Sequence, residues 1–276
     1  MLVVLLRKLA SYIAFMVVFV VAGSLFSGSF FAPPVEASQL GSVWTERLRN
    51  DPGGKRVLFI GNSILFTHNV PKIMASIAAT PAMKVTAVFG DAYTLEDHWN
   101  QRVALNVLRS ERPGWEIVIL QEGTGRDMET PADYEKYVRL FENEARKIGA
   151  RTYIVENYSD DSAHYDDRHK TMKDWSAKLK LSFIPIGTAW NELRSRHPEV
   201  NLYEPDNHHP SLQGSYLMAC VYYQALFGAA PTSGLRTELG YTDRSIGSSR
   251  LFSRVATARE VQETARQAVA SMEMEK

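Results

Sequence analysis

The chain has 276 residues, 31 basic and 31 acidic side chains, and one cysteine. This length suffices for one α/β domain with a full core and does not require two. The balanced charge shows neither the basic stripe of a nucleic-acid-binding protein nor an acidic disordered tail. The single cysteine, Cys220, excludes an intramolecular disulfide, and its apolar neighbours predict a buried structural thiol.

The N-terminal segment has the composition of an export signal or a membrane anchor. Two basic residues precede residues 9–35, which carry no charged side chain and are rich in Val, Phe, Ile and Ala. The segment Val35-Glu36-Ala37-Ser38 fits a small-x-Ala cleavage pattern, which favours removal of residues 1–37 over their retention. We therefore expect an exported protein, periplasmic or extracellular, which meets a membrane only through residues 9–35 if they remain uncleaved.

Short apolar runs alternate with helix-like segments through the middle of the chain. The runs cover residues 55–60, 84–89, 116–121, 151–156 and 182–186. Such alternation predicts a parallel sheet covered by helices on both faces. Residues 38–54 carry Ser, Gly, Pro and Asp, and we interpret them as an irregular segment that leads into the first strand. No linker divides residues 38–276, which are expected to form a single domain.

Three helices are predicted with the most definite boundaries. Residues 131–148 repeat apolar side chains at three- and four-residue steps, with Thr130 as a candidate cap and Gly149 as a stop signal. A second helix is expected over residues 211–227, although Gly214 interrupts its pattern. A last amphipathic stretch predicts a docking helix whose apolar face carries Val261, Ala265, Ala268, Val269 and Met272.

Two short segments carry residues suited to nucleophilic catalysis. A serine needs a base within hydrogen-bond reach, and the base needs a partner that fixes its tautomer. Ser63 follows the first apolar run, so it is expected at the carboxyl edge of the sheet, where ligands bind in open α/β folds. Asp206 lies three residues before His209, which lets the carboxylate accept from one ring nitrogen while the other faces Ser63.

These segments resemble the SGNH, or GDSL-like, hydrolase family. Gly61-Asn62-Ser63 resembles the nucleophile block of the branch that has Gly-Asn-Ser in place of Gly-Asp-Ser. Asp206-x-x-His209-Pro210 resembles the final block, and Ser211-Leu212-x-Gly214-Ser215-Tyr216 extends the likeness. The resemblance spans about residues 55–228. It implies that Ser63 is the nucleophile, His209 the general base and Asp206 the residue that orients the histidine.

The resemblance also implies an oxyanion hole. The family uses the serine N–H, a glycine N–H after the second strand and the side-chain amide of an asparagine. Here Gly90-Asp91-Ala92-Tyr93-Thr94-Leu95 stands where related sequences read Gly-Gly-x-Thr-Leu, so Gly90 ranks first among the backbone donors. Gln121 occupies the asparagine position, and its alternative role is to satisfy loop backbone at the end of a strand.

The sequence as a whole predicts a three-layer α/β/α sandwich of the flavodoxin-like type with about five parallel strands. The expected activity is that of a serine ester hydrolase working through an acyl-enzyme, without a cofactor. Export and the likeness to carbohydrate-active family members favour removal of acetyl or short acyl groups from a glycan. Two alternatives stay open: an acyltransferase to a glycan hydroxyl, and a catalytically idle polysaccharide-binding module.

Several polar or aromatic residues fit less specific interpretations. His208 has no second ligand cluster at suitable spacing, so a metal site is not expected. The polar stretch 160–169 is interpreted as a solvated loop, with a substrate-facing loop as the alternative. His98 and Trp99 are expected to pack at a helix start, and Tyr93 and Trp99 are candidates for the mouth of the site.

Overall fold

In a computed structural model, the chain is described at residues 43–77, 81–123, 125–159, 164–228 and 255–274. The predicted export segment, residues 1–37, lies outside the described residues. Across the described ranges, no helix has both the length and the apolar composition that a bilayer crossing demands.

One six-stranded sheet forms the centre of the fold. Its strands are β1 (Val43–Asn50), β2 (Lys55–Gly61), β3 (Met83–Gly90), β4 (Ile117–Leu120), β5 (Arg151–Glu156) and β6 (Ser182–Pro185). They lie in the order β1-β3-β2-β4-β5-β6. Strands β2 to β6 are parallel, and their relative order matches that of flavodoxin-like sheets. The predicted parallel sheet is therefore confirmed.

The sixth strand corrects the interpretation of residues 38–54 as an irregular segment. Residues 43–50 form β1, which pairs antiparallel with β3 at the edge of the sheet. Only Val43 is buried in this strand, while its other side chains are partly or fully exposed. Because the strand lies at an edge, its sequence lacks the continuous apolar run that marks a central strand.

Ten helices are described. They are α1 (Ser63–Phe66), α2 (Val70–Ser76), α3 (Leu95–Gln101), α4 (Val103–Ser110), α5 (Arg126–Glu129), α6 (Pro131–Lys147), α7 (Tyr165–Leu179), α8 (Ile186–Arg196), α9 (Leu212–Phe227) and α10 (Val255–Met274). The predicted α6 and α9 are confirmed within one residue at each end. The side chain of Thr130 does not cap α6, whereas Gly149 follows the helix with a φ of +74°.

The core consists of two hydrophobic clusters, one on each face of the sheet. Along β2, Val57 and Phe59 point into the first cluster, and Leu58 and Ile60 point into the second. Helices α2, α8, α9 and α10 cover the first face, and α3, α4, α6 and α7 cover the second. Four of the five apolar side chains predicted for α10 pack into the first cluster, while Met272 packs against the second.

The predicted three-layer α/β/α architecture is thereby confirmed. Cys220 lies in the first cluster with no exposed surface. Burial raises the pKa of its thiol to about 12, because the charged thiolate is poorly solvated there. The thiol therefore stays protonated and structural, as the sequence predicted.

Candidate active site

Ser63 lies at the carboxyl edge of the sheet, two residues after β2 ends at Gly61. It is the first residue of the single-turn helix α1, and Asn62 caps this helix by accepting from the Ile64 N–H at 3.2 Å. Strand β2 is flanked by β3 on one side and β4 on the other. The chain order reverses at this point, where open α/β sheets form their binding crevice.

Residues 203–210, called the histidine loop below, carry the other two predicted catalytic residues. A bridge between Tyr203 and Pro210 closes the loop. The Glu204 N–H donates to the His209 carbonyl at 2.8 Å, and the Asn207 N–H donates to the Glu204 carbonyl at 2.9 Å. Asn207 has a φ of +56°, a left-handed conformation that asparagine tolerates in tight turns.

The structure brings Ser63, His209 and Asp206 into one hydrogen-bonded chain. His209 Nε2 lies 2.9 Å from the Ser63 hydroxyl, and His209 Nδ1 lies 2.6 Å from Asp206 Oδ2. Because an ionised carboxylate only accepts, Nδ1 carries the hydrogen and Nε2 is left to accept from the serine. In Ser-His-Asp triads this tautomer is the one that can accept the proton of the serine hydroxyl.

Asp206 is held in its ionised form by its hydrogen bonds. The bond from His209, assisted by the backbone N–H groups of His208 and His209, keeps the pKa of the Asp206 carboxyl well below its usual range. Both backbone bonds reach Oδ1 at 2.9 Å. Asp206 is therefore a permanent negative charge beside the imidazole, suited to stabilise the imidazolium form.

Gln121, the predicted side-chain oxyanion donor, lies buried beside the nucleophile turn. Its Oε1 accepts from the Asn62 backbone N–H at 3.0 Å, so the side chain supports the residue before Ser63. Its amide nitrogen donates to the Glu122 carbonyl and approaches Asn157 Oδ1 at 3.4 Å. The described conformation thus shows a supporting contact, and the role as oxyanion donor stays a prediction.

The turn after β3 departs from the expected glycine pattern in a specific way. Gly90, the predicted backbone donor, ends β3 beneath the Tyr93 ring, so that a Cβ at Gly90 would lie 2.2 Å from Tyr93 Cγ. Ala92 has a φ of +54°. This left-handed conformation favours glycine, and Ala92 is one of the two positions at which the family resemblance predicts a glycine.

His98 supports the turn that carries Ser63 by a hydrogen bond to the end of β2. The sequence predicted only that His98 packs at a helix start, and not this bond. Its Nε2–H donates to the Gly61 carbonyl at 2.9 Å, and the ring is fully buried. Burial lowers the pKa of this imidazole to about 4, so it is neutral at physiological pH. Its neighbour Trp99 packs edge-on against Phe141 at 5.2 Å between ring centroids, so the indole lies against the second core cluster.

The histidine loop is held in place from three directions. The Tyr158 hydroxyl donates to the His208 carbonyl at 2.8 Å. On the side of the nucleophile, His68 Nε2 lies 2.7 Å from Glu204 Oε1. Beneath the loop, α9 approaches so closely that a Cβ at Gly214 would lie 2.3 Å from the Leu202 carbonyl oxygen. Glycine is thus required at this position by the close contact.

We expected a solvated loop over the polar stretch 160–169; residues 160–163 lie outside the described residues, and residues 165–169 are helical, which corrects that expectation. Helix α7 begins at Tyr165, so His169 is helical. His169 Nδ1 lies 2.7 Å from Glu156, a buried carboxylate that also accepts from the Thr188 backbone N–H at 2.9 Å. Within the described ranges, no group of three or more His, Cys, Asp or Glu side chains is arranged to hold a metal ion.

Comparisons with known proteins bear on the fold. No family model and no curated protein matches the sequence. The crystal structure of the protein YXIM of Bacillus subtilis matches at 15% identity with a TM-score of 0.50, covering 63% of this chain and 58% of that one.

Two further solved structures resemble the chain. One is a protein of Slackia heliotrinireducens classed provisionally as an SGNH hydrolase, at 20% identity and a TM-score of 0.49, covering 62% of this chain and 98% of that one. The other is a catalytic mutant of Axe2, an acetylxylan esterase of Geobacillus stearothermophilus, at 15% identity and 0.47, covering 62% and 93%. Identities this low concern the fold alone.

Proposed function

We propose that the protein is an exported serine ester hydrolase that removes acetyl or other short acyl groups from a carbohydrate. The observation that carries this proposal is the hydrogen-bonded chain from Ser63 through His209 to Asp206, with separations of 2.9 and 2.6 Å. Nucleophile, base and orienting acid lie at the reach that acyl transfer needs. The resemblance of the two motifs to the SGNH hydrolases supports the ester-hydrolase activity. The predicted export segment supports a location outside the cytoplasm.

The reaction proceeds by covalent catalysis. His209 Nε2 takes the proton from Ser63 as the hydroxyl oxygen attacks the ester carbonyl, and Asp206 stabilises the resulting imidazolium. The tetrahedral intermediate collapses by breaking the bond from the carbonyl carbon to the sugar oxygen, and the imidazolium protonates this oxygen so that it leaves as a hydroxyl. His209 then deprotonates a water molecule that attacks the acyl-enzyme. The second intermediate collapses by breaking the bond from the acyl carbon to Ser63 Oγ, His209 returns the proton to this oxygen, and the carboxylic acid leaves.

The negative charge of each intermediate needs hydrogen-bond donors. The Ser63 N–H stands at the first position of α1, where a helix leaves its N–H groups without intrahelical acceptors. The turn after β3, which is joined to the nucleophile turn by the bond from Asn62 to the Tyr93 carbonyl, is the candidate source of a further backbone N–H, with Gly90 ranked first. Gln121 supplies the third donor, since its 3.4 Å contact with Asn157 is long for a hydrogen bond and can be exchanged for an oxyanion.

Labelling of Ser63 tests the proposal directly. A fluorophosphonate probe is expected to modify Ser63 in the folded protein, as identified by mass spectrometry of the labelled peptide. The wild type is expected to release p-nitrophenol from p-nitrophenyl acetate and acetate from an acetylated xylo-oligosaccharide. Ser63→Ala is expected to do neither. Labelling at another residue, or equal activity in Ser63→Ala, would contradict the proposal.

Export is tested separately from catalysis. Expression of the full chain is expected to yield a protein outside the cytoplasm whose N-terminal residue is Ser38, as read by mass spectrometry. Recovery of the intact N-terminus in a membrane fraction would favour retention of residues 9–35 as an anchor. Recovery of the intact chain in the cytoplasm would contradict export without touching the catalytic proposal.

A further inference from the structure

We propose that His68 and Glu204 form a tether that holds the histidine loop at the working distance from Ser63. Both would be positioning residues for the ester hydrolysis, acting through His209 and not on the substrate. The inference rests on the proposed function, since the distance between Ser63 and His209 matters for catalysis only if they react together.

The tether joins the two segments that carry the nucleophile and the base. His68 lies in the turn between α1 and α2, and Glu204 lies in the histidine loop, 136 positions later. Their 2.7 Å contact is a second hydrogen bond between these segments, beside the 2.9 Å bond from Ser63 to His209. Since the Glu204 carboxylate accepts, His68 Nε2 carries the hydrogen.

Bonds inside the histidine loop cannot set the distance to Ser63. Asp206 bonds to the His209 ring and to the backbone N–H groups of His208 and His209, all within four consecutive residues. These bonds orient the imidazole relative to its own loop, but they move with that loop. The distance to the nucleophile therefore depends on contacts that leave the loop, and the contact with His68 runs toward the nucleophile segment.

Each end of the tether is coupled to a member of the triad. The Glu204 N–H donates to the His209 carbonyl at 2.8 Å, so a displacement of Glu204 moves the base. Thr67, which precedes His68, donates from its N–H and its hydroxyl to the Ser63 carbonyl at 3.0 and 2.7 Å. The result is a closed ring of hydrogen bonds that passes through Ser63 and His209.

The expected signature is a loss of rate with little loss of stability. The side chains of His68 and Glu204 are 18% and 34% exposed, so a substitution at either leaves no fully buried polar group without a partner and costs little folding stability. A shift of about 1 Å between reacting groups, by contrast, can lower a rate by as much as about a hundredfold. A change in kcat without a matching change in the thermal midpoint thus separates positioning from a purely structural role.

The experiment compares His68→Ala, Glu204→Ala and the double variant with the wild type, using p-nitrophenyl acetate. Each single variant is expected to lower kcat by roughly ten- to a hundredfold with KM nearly unchanged. The double variant is expected to be no slower than the slower single variant, because both substitutions break the same contact. His68→Gln retains an N–H donor and is expected to recover most of the rate.

His197→Ala is the matched control. His197 also lies beside a glutamate, at 3.3 Å from Glu199, and its side chain is 23% exposed, but it lies at the end of α8. Its kcat is expected to equal that of the wild type. Thermal midpoints of all the variants are expected to stay close to the wild-type value.

The outcomes separate the tether from the proposed function. An active wild type with an unchanged kcat in His68→Ala overturns the tether alone. So does a double variant whose loss equals the product of the two single losses, or a fall in kcat that only follows a fall in the thermal midpoint. A wild type that neither hydrolyses the ester nor reacts with the fluorophosphonate at Ser63 overturns the proposed function, and the tether falls with it.

Discussion

The side-chain amide of Asn62 donates to the Tyr93 carbonyl at 3.0 Å and so joins the turn after β2 to the turn after β3. These are the two turns whose backbone N–H groups are proposed to face the oxyanion. Asn62 is 4% exposed, and its Oδ1 is already used to cap α1. The asparagine of the Gly-Asn-Ser motif thus has a structural reason in this chain, since an aspartate could cap the helix but not donate to Tyr93.

Asn62→Asp is therefore expected to destabilise the protein. The ionised carboxylate of an aspartate, on a side chain that is 4% exposed, would face the Tyr93 carbonyl without a hydrogen between them, which costs about 1 to 3 kcal/mol of unfolding free energy. Urea unfolding followed by circular dichroism measures the change. The exposed Asn106→Asp in α4 adds the same charge and is expected to be nearly neutral. Equal stability of the two variants would show that the hydrogen bond from the Asn62 amide to the Tyr93 carbonyl does not stabilise the fold.

Asp206→Asn is expected to lower kcat by about 10⁴-fold while the protein stays folded. An asparagine that donates to His209 Nδ1 would favour the wrong tautomer, so that Nε2 no longer accepts from Ser63. Steady-state kinetics with p-nitrophenyl acetate measure the loss. Asp174→Asn, an exposed aspartate paired with Lys170 on α7, is the control and should retain full activity. A loss below about tenfold would argue against the assigned role.

Gln121→Ala is expected to lower turnover by about two to three orders of magnitude. It should also lower the unfolding free energy by about 1 to 3 kcal/mol, because the Asn62 N–H loses its buried acceptor. Gln121→Glu separates the two roles, since it keeps the acceptor oxygen but lacks the amide hydrogens. Full activity in Gln121→Glu would show that the side chain supports the turn and does not bind the oxyanion.

Ala92→Gly is expected to stabilise the protein by about 1 kcal/mol, because alanine pays a steric penalty at a φ of +54° that glycine avoids. Thermal unfolding measures the gain. Ala132→Gly, in the exposed first turn of α6, is the opposite control and is expected to destabilise by up to about 1 kcal/mol. If Ala92→Gly lowers stability as well, the left-handed conformation at this turn is contradicted.

His98 is expected to make stability depend on pH. Its pKa is about 4 in the folded protein, against about 6.5 for an unperturbed histidine. Between these values the unfolded chain binds a proton that the folded protein does not, so stability falls as the pH drops from about 6.5 to about 4. The size of this effect is about 3 kcal/mol.

His98→Gln tests this dependence because glutamine can still donate to the Gly61 carbonyl but does not titrate. Urea unfolding at pH 7 and pH 4 is expected to show a smaller loss of stability in the variant than in the wild type. An equal loss in both proteins would mean that His98 is not the buried group responsible.

The parallel strands and the contact between Asp206 and His209 were predictable because both leave local patterns in the sequence. Central strands such as β2 are buried on both faces and appear as short continuous apolar runs. Asp206 and His209 belong to one turn, so their spacing alone indicates that they can bond. Strand β1 was not predicted, since an edge strand with one buried side chain has no such run.

The supporting contacts around the site could not be predicted in the same way. His98 bonds to a backbone carbonyl 37 positions earlier, and His68 bonds to a carboxylate 136 positions later. Neither contact follows from periodicity or from a motif, because tertiary packing alone brings the partners together. The left-handed conformation of Ala92 is likewise imposed by its surroundings, against the preference of its residue type.

The close contact between Gly214 on α9 and the Leu202 carbonyl makes position 214 a place where a substitution can affect the histidine loop without changing any of its residues. At Gly214 a single methyl group would press on the Leu202 carbonyl and on the Trp190 ring. Leu202 directly precedes the histidine loop, so a larger side chain at position 214 would displace the backbone where that loop begins. The packing of α9 at position 214 is thus linked, through Leu202, to the segment that carries His209.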